Sequence, residues 1–184
     1  QLPATNAPIR LLSTSTTDGD SITAVYATDD TGPMLFRVAT DSNPFSPTPE
    51  ITVHTALPLQ HGGDPTAIAL SRDGIHAYVS TATGYLYLWD LRDTNTPRLI
   101  DAAQVTEQPT VAVSALTFLI GDRSVIVGDT RGHLSAWFPI RDATQESGWH
   151  LQRAHRFQAH AHAISHIVPS PRDKSFLSAD AGGN

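Results

Sequence analysis

The sequence predicts an all-β chain built as an arc of a β-propeller, and three observations predict it. The stretch Thr66–Asp90 recurs without a gap 48 residues later as Ser114–Phe138, and in part a further 51 residues on, from Ser165. Within each copy the apolar residues alternate at period two, broken by Gly- or Asp-bearing turns about every 8 to 12 residues. Each full copy supplies four such stretches, and four strands at a period of about 40–50 residues are the arithmetic of a propeller blade. One blade alone leaves its apolar faces in water, so its neighbours must cover them.

The first copy is the least regular. Ile9–Ser15, Ser21–Thr28 and Pro33–Thr40 read as strands separated by turns at Thr17–Asp20 and Asp29–Gly32. An offset of 52 lays Tyr26 on Tyr78 and Gly32 on Gly84, which puts Arg37 at the place of Trp89. Asp41–Glu50 carries three prolines and reads as a loop before a closing strand over Ile51–Leu59. The second copy is clean, with strands at Thr66–Leu70, His76–Ser80 and Tyr85–Leu91 and a fourth near Arg98–Val105. In the third, Ala67 falls on Ala115, Ile68 on Leu116, Gly84 on Gly132, Leu86 on Leu134 and Trp89 on Trp137. A fourth strand over Trp149–Gln158 closes it. The predicted blades are therefore approximately 9–60, 64–107, 112–160 and a truncated 161–184, about three and a half in one domain. Trp89, Trp137, Tyr85, Tyr87 and Phe118 are the expected core between blades. A chain that opens on Gln1 and stops inside a repeat is expected to be an excised piece of a longer protein, with a tendency to self-associate at its open strand edge.

Composition narrows the classes of function. Hydrophobic residues make up 40% and charged residues only 16%, with 12 Gly and 13 Pro, which suits turn-rich β structure. A net charge of −6 argues against a nucleic-acid partner. The absence of cysteine removes disulfides and thiolate metal sites. No apolar run reaches the roughly 18 residues that span a bilayer.

Trp89-Asp90 closes the third strand of the clean copy, and Ala159-His160 precedes a strand and the turn Ser170-Pro171-Arg172-Asp173-Lys174. These residues resemble WD40-type propeller repeats. The resemblance implies a structural hydrogen-bond network of a His, a Ser or Thr on the second strand, an acid in the following turn and a Trp. The matching positions are His160, Asp129, Asp180, Trp89 and Trp137, with Asp90 completing the signature dipeptide. Trp137-Phe138 departs from that dipeptide, and the first copy lacks it. More narrowly, residues 64–184, including LTFLIGDRSVIVGDTRGHLSAWFPIRD and PSPRDKSFLSADAGGN, resemble the large extramembrane insert of PstC-type phosphate ABC-transporter permeases of gammaproteobacteria. That resemblance implies a periplasmic module at the inner membrane, docking the phosphate-binding protein or other transporter subunits. An alternative is a scaffold for protein partners with no link to transport.

Chemistry-bearing residues give little more. His150, His155, His160, His162 and His166 cluster within 17 residues, and His160 and His162 share a strand face, as ligands of one metal would. The adopted reading is a structural His160 among exposed neighbours, with no metal and no cofactor. Asp18/Asp20 and Asp29/Asp30 sit in turns, where the Asp side chain bonds the following backbone. No nucleophile elbow, phosphate loop or zinc-protease motif is present, so no catalytic residue is assigned. Arg72, Arg92, Arg98, Arg123, Arg131 and Arg141 are scattered and make no phosphate cluster. Trp149, in a polar region, is the expected aromatic anchor for a partner.

Overall fold

The computed structural model describes residues 7–17, 21–30, 32–40 and 49–184. Among them there is no helix, and the chain folds as an arc of a β-propeller. The first sheet contains β1 (Ile9–Thr17), β2 (Ser21–Thr28), β3 (Met34–Thr40) and β4 (Pro49–Ala56). The second contains β5 (Pro65–Leu70), β6 (His76–Thr81), β7 (Tyr85–Asp90) and β8 (Arg98–Gln104). The third contains β9 (Val113–Phe118), β10 (Val125–Asp129), β11 (Leu134–Arg141) and β12 (Trp149–Arg156). A last pair, β13 (Ile164–Pro169) and β14 (Phe176–Asp180), is two-stranded. Every sheet is antiparallel with its strands in sequence order, so each blade is a meander.

Short turn motifs set the boundaries. In the second blade Asp73 Oδ1 accepts from Ser71 Oγ at 2.5 Å and from the Ile75 amide at 3.0 Å, folding the chain back between β5 and β6. Asp173 repeats this between β13 and β14, accepting from the Ser175 amide at 2.9 Å. The Asp side chain replaces backbone partners that a tight turn leaves unpaired.

The first strands of successive sheets, β1, β5, β9 and β13, lie side by side along the arc. Serines stitch them together. Ser13 Oγ accepts from the Leu70 amide at 3.0 Å, and Ser114 Oγ donates to the Ile164 carbonyl at 2.7 Å. Farther out, Asp101 on β8 accepts from the Leu151 amide on β12 at 2.6 Å.

Because side chains alternate across a strand, each blade faces both neighbours. Tyr78, Leu86 and Leu88 point forward into the cluster with Val113, Val125, Val127 and Trp137 of the third blade. Ala77, Val79, Tyr87 and Trp89 point backward onto Val25 and Leu35 of the first. Ile126, Leu134 and Ala136 in turn face Ile164, Ile167 and Phe176. Burying such side chains contributes about 1.5–3 kcal/mol each, which is what holds blade to blade. Phe118 and Tyr85 join these layers at their partly buried margins.

Two expectations are corrected. The first blade aligns with the second at an offset of 53, not 52. Val25 pairs with Leu35 and faces forward, as Tyr78 pairs with Leu88 and faces forward. Phe36, not Arg37, therefore stands at the Trp89 position, and Gly32 falls one place past that of Gly84. A slip of one residue inverts every side chain, so Tyr26 belongs to the opposite face, in a cluster with Ala24 and Phe36. Second, Pro49 and Glu50 belong to β4 and not to a loop. β4 is the outer edge of its sheet, where a residue lacking an N–H is tolerated, and the register shifts there, between Ala39 and Thr40. The rest of the expected loop, 41–48, and the Asp18/Asp20 pair lie outside the described residues.

Candidate functional site

The turns β2–β3, β6–β7 and β10–β11 share one rim of the arc with the connections from each blade to the next. Polar chemistry gathers there because the acid or hydroxyl ending each second strand must cap the turn that follows. Asp129 Oδ1 accepts from the Arg131 amide at 2.8 Å and the His133 amide at 2.9 Å, and Oδ2 lies 3.1 Å from His133 Nδ1. Asp180 Oδ1 accepts from the Gly182 amide at 2.9 Å and the Asn184 amide at 3.0 Å. Thr81 holds the equivalent place in the second blade, its Oγ1 accepting from the Tyr85 amide at 3.2 Å.

The expected His–Ser/Thr–Asp–Trp network is joined at one blade and interrupted at the others. His160 Nε2 lies 2.9 Å from Ser178 Oγ, and its Nδ1 lies 3.4 Å from Asp180 Oδ2. His162 Nδ1 is 3.8 Å from the same oxygen, which is buried and has no hydrogen bond of its own. Asp129 takes the nearer His133 in place of a histidine from the preceding connection, where Pro109 stands at the His160 position. Neither tryptophan enters such a chain. Val79 and Val127 occupy the Ser178 position, so no hydroxyl waits on the second strand. Trp89 Nε1 is accordingly buried without a partner, and Trp137 Nε1 donates to Ser135 Oγ on its own strand at 2.8 Å. His61, which aligns with His160, stacks on Tyr85 at 4.3 Å, and its amide donates to Tyr87 Oη at 2.9 Å. Asp90 ends β7 by accepting from the Arg92 amide at 3.0 Å. Trp149 starts β12 half-buried against the core between the second and third blades, with the Arg141 guanidinium 4.5 Å above its ring. That ring is already packed, which reduces what it can offer a partner.

The Ser178–His160–Asp180 order is that of a nucleophilic triad, but the surroundings are not. Ser178 lies in mid-strand opposite Ile167, and neither of the two cavities described below reaches it. Among the described residues, no group of three or more His, Asp and Glu side chains is set to hold a metal ion.

The amides of Asn184 and Gly182 hold the Asp180 carboxyl below its ordinary range, with His160 adding a smaller push in the same direction. A carboxyl depressed in the folded state stabilises the fold above its unfolded pKa of about 4, and that contribution is lost as the pH falls through the folded value. Asp180→Asn is expected to be less stable than the parent at pH 7, with the gap closing toward pH 3. Urea midpoints measured at both pH values check this.

The larger cavity on this rim, about 460 Å³, opens between the first and second blades. Its lining mixes apolar residues, Leu11, Met34, Leu57 and Leu59 among them, with the carboxylates Asp29, Asp30 and Asp64. Among the described residues of the lining Arg10 is the one cation, and it pairs with Asp29 at 3.0 Å. Two segments supply the carboxylates, the Asp29-Asp30 turn and Asp64 in the connection to the second blade, and only the fold brings them together. A smaller cavity of about 150 Å³ lies between Glu107, Asp129, His133, Arg153 and Arg156, its charges largely matched, with Arg156 2.8 Å from Glu107.

No family model matches the chain, and no curated protein does. Among solved structures it is similar to the β-propeller domain of Myceliophteria thermophila Cps50 (Swd1), with a TM-score of 0.61 and 18% identity. The likeness covers 86% of this chain and 49% of that one, so the chain spans about half the length of that domain. At such identity the likeness is one of fold, and it agrees with the sheets described above: the chain is an arc of a β-propeller.

Proposed function

We propose that the chain is a non-catalytic docking module whose rim, at the junction of the first and second blades, receives a protein partner. The observation that carries this reading is the 460 Å³ cavity, whose described lining mixes apolar side chains with three carboxylates and one paired arginine. Such a lining suits an apolar segment bearing a lysine or arginine and repels anions, phosphate among them. The turn Asp residues and buried aromatics elsewhere are accounted for by folding, which leaves this cleft as the surface with chemistry to spare.

The narrower form of the proposal places the module in a phosphate ABC-transporter permease, at the periplasmic face of the inner membrane. Its partner is then the phosphate-binding protein or another transporter subunit. This form rests on the sequence resemblance of residues 64–184 alone. No helix among the described residues is long and apolar enough to cross a membrane, so helical spans would belong to sequence outside these 184 residues. A hydropathy profile of the complete reading frame tests it. Flanking spans of about 20 apolar residues are expected, and a frame encoding only further propeller blades defeats it.

The docking reading is tested by fluorescence anisotropy with labelled peptides that differ only in Lys/Arg against Asp/Glu. The basic peptides are expected to bind at least tenfold more tightly, and Asp30→Lys with Asp64→Lys to erase the difference. Equal binding of both sets, or saturation of the cleft by inorganic phosphate, contradicts it.

A further inference from the structure

We infer that the smaller cavity, between the second and third blades, is a binding site for a single carboxylate group, held by the Arg153 guanidinium and the Ser135 hydroxyl. Equivalent positions one blade apart show what sets it off. On β7 of the second blade Tyr87 is fully buried, and Leu99 and Ala102 of β8 pack in the same apolar layer. The repeat puts Ser135 where Tyr87 stands. Arg153 lies opposite Trp137 and Arg156 opposite Ser135, as Leu99 lies opposite Trp89 and Ala102 opposite Tyr87. A small hydroxyl side chain thus replaces a buried ring, and two arginines replace apolar residues. All three line the cavity of about 150 Å³.

The backbone aims both arginines into it. Arg153 and Arg156 are three residues apart, a spacing that puts side chains on opposite faces of a regular strand. The register shift between Ala136 and Trp137 leaves Ala154 as an extra residue. That bulge turns both arginines to the face of Ser135 and Trp137.

Most polar groups of the lining are already engaged. Both Asp129 oxygens cap the β10–β11 turn and His133. Thr106 Oγ1 accepts from Gln104 Nε2 at 2.9 Å and donates to the Gln108 carbonyl at 3.0 Å. Arg156 is paired with Glu107. Two further groups have chemistry that the fold does not use. Ser135 Oγ accepts from Trp137 Nε1, but its own proton has no acceptor among the described residues, although the side chain is buried. Arg153 has no carboxylate partner among them, and its guanidinium lies 5.9 Å from the Trp137 ring, at the outer limit of a cation–π contact.

A guanidinium fork beside a hydroxyl donor matches one carboxylate, which accepts two parallel N–H bonds and a third from the hydroxyl. Glu107 and Asp129 flank the cavity and oppose a second negative charge, which favours a monoanion over phosphate. Val105, Val127 and Leu134 in the lining suit a short alkyl stem. The volume is that of about five waters, room for a small acid or one acidic side chain.

Titration of the isotope-labelled chain with butyrate, followed by nuclear magnetic resonance, is expected to shift the Ser135 amide and the Arg153 Nε–H saturably, while butyramide shifts neither. Arg153→Gln, at an exposed position that leaves the fold intact by circular dichroism, is expected to weaken binding about tenfold. Arg153→Lys, which keeps the charge without the fork, is expected to recover part of that loss. A blocked peptide with one Glu separates the sources: tighter binding than butyrate assigns the carboxylate to a protein partner, weaker binding to a small free acid. Asp30 and Asp64 lie outside this cavity, so Asp30→Lys with Asp64→Lys is expected to leave butyrate binding unchanged, and the two clefts stand or fall separately. A response that is absent or does not saturate, equal shifts with butyramide, unchanged binding in Arg153→Gln, or phosphate binding more tightly than butyrate overturns the inference.

Discussion

Tyr78→Ala is expected to cost about 3–5 kcal/mol, the range for deleting a large buried aromatic and leaving its cavity. Tyr78 is buried among Leu86, Leu88, Val125 and Val127, and its ring meets Phe118 edge-on at 5.2 Å. Burial also raises its phenol above the ordinary range. The ring belongs to β6 but packs on β9 and β10, so its loss separates the second blade from the third and leaves each sheet's own ladder intact. Urea denaturation reads the effect. A loss below about 1 kcal/mol would mean that the blades are not held together through this layer.

Gly132→Ala is expected to cost about 2–4 kcal/mol through two coupled effects. The residue has φ of 89°, a conformation in which an L side chain is strained. A Cβ there would also stand 2.6 Å from the His162 carbonyl oxygen and closer still to that of His160. Both obstacles are backbone, so no rotamer relieves them, and the connection into β13 would have to lift off the β10–β11 turn. That would break the bond from the His160 amide to the Gly132 carbonyl, now 2.9 Å. Gly121 is the control. Its φ is 88° but nothing lies within 4 Å of its Cβ position, so Gly121→Ala is expected to show the strain alone, about 1 kcal/mol. Equal losses at the two glycines, measured by thermal and urea unfolding, would remove the close approach from the explanation.

The second and third blades were legible because Thr66–Asp90 and Ser114–Phe138 repeat without a gap, so one pattern reports twice. The first blade was not, and the reason is physical. Matching like residues, Tyr26 to Tyr78 and Gly32 to Gly84, ignores which face each occupies. The face is decided by pairing, and Val25 opposite Leu35 is what meets the second blade. Of the network residues, His160 and Asp180 come together, whereas Trp89 and Trp137 stand apart because valines replace the hydroxyl between them and any histidine. The cleft stayed hidden because the Asp29-Asp30 turn and Asp64 meet only when the first connection crosses to the second blade.

The account rests on alternate residues of each strand facing opposite neighbours along the arc. Nuclear Overhauser contacts from the Tyr78 ring test this most directly. The arrangement predicts contacts to the Phe118 ring and the Val125 and Val127 methyls, with Val25 and Leu35 seen instead from Val79 and Tyr87. Contacts from Tyr78 to Val25 or Leu35, with none to the third blade, would contradict it.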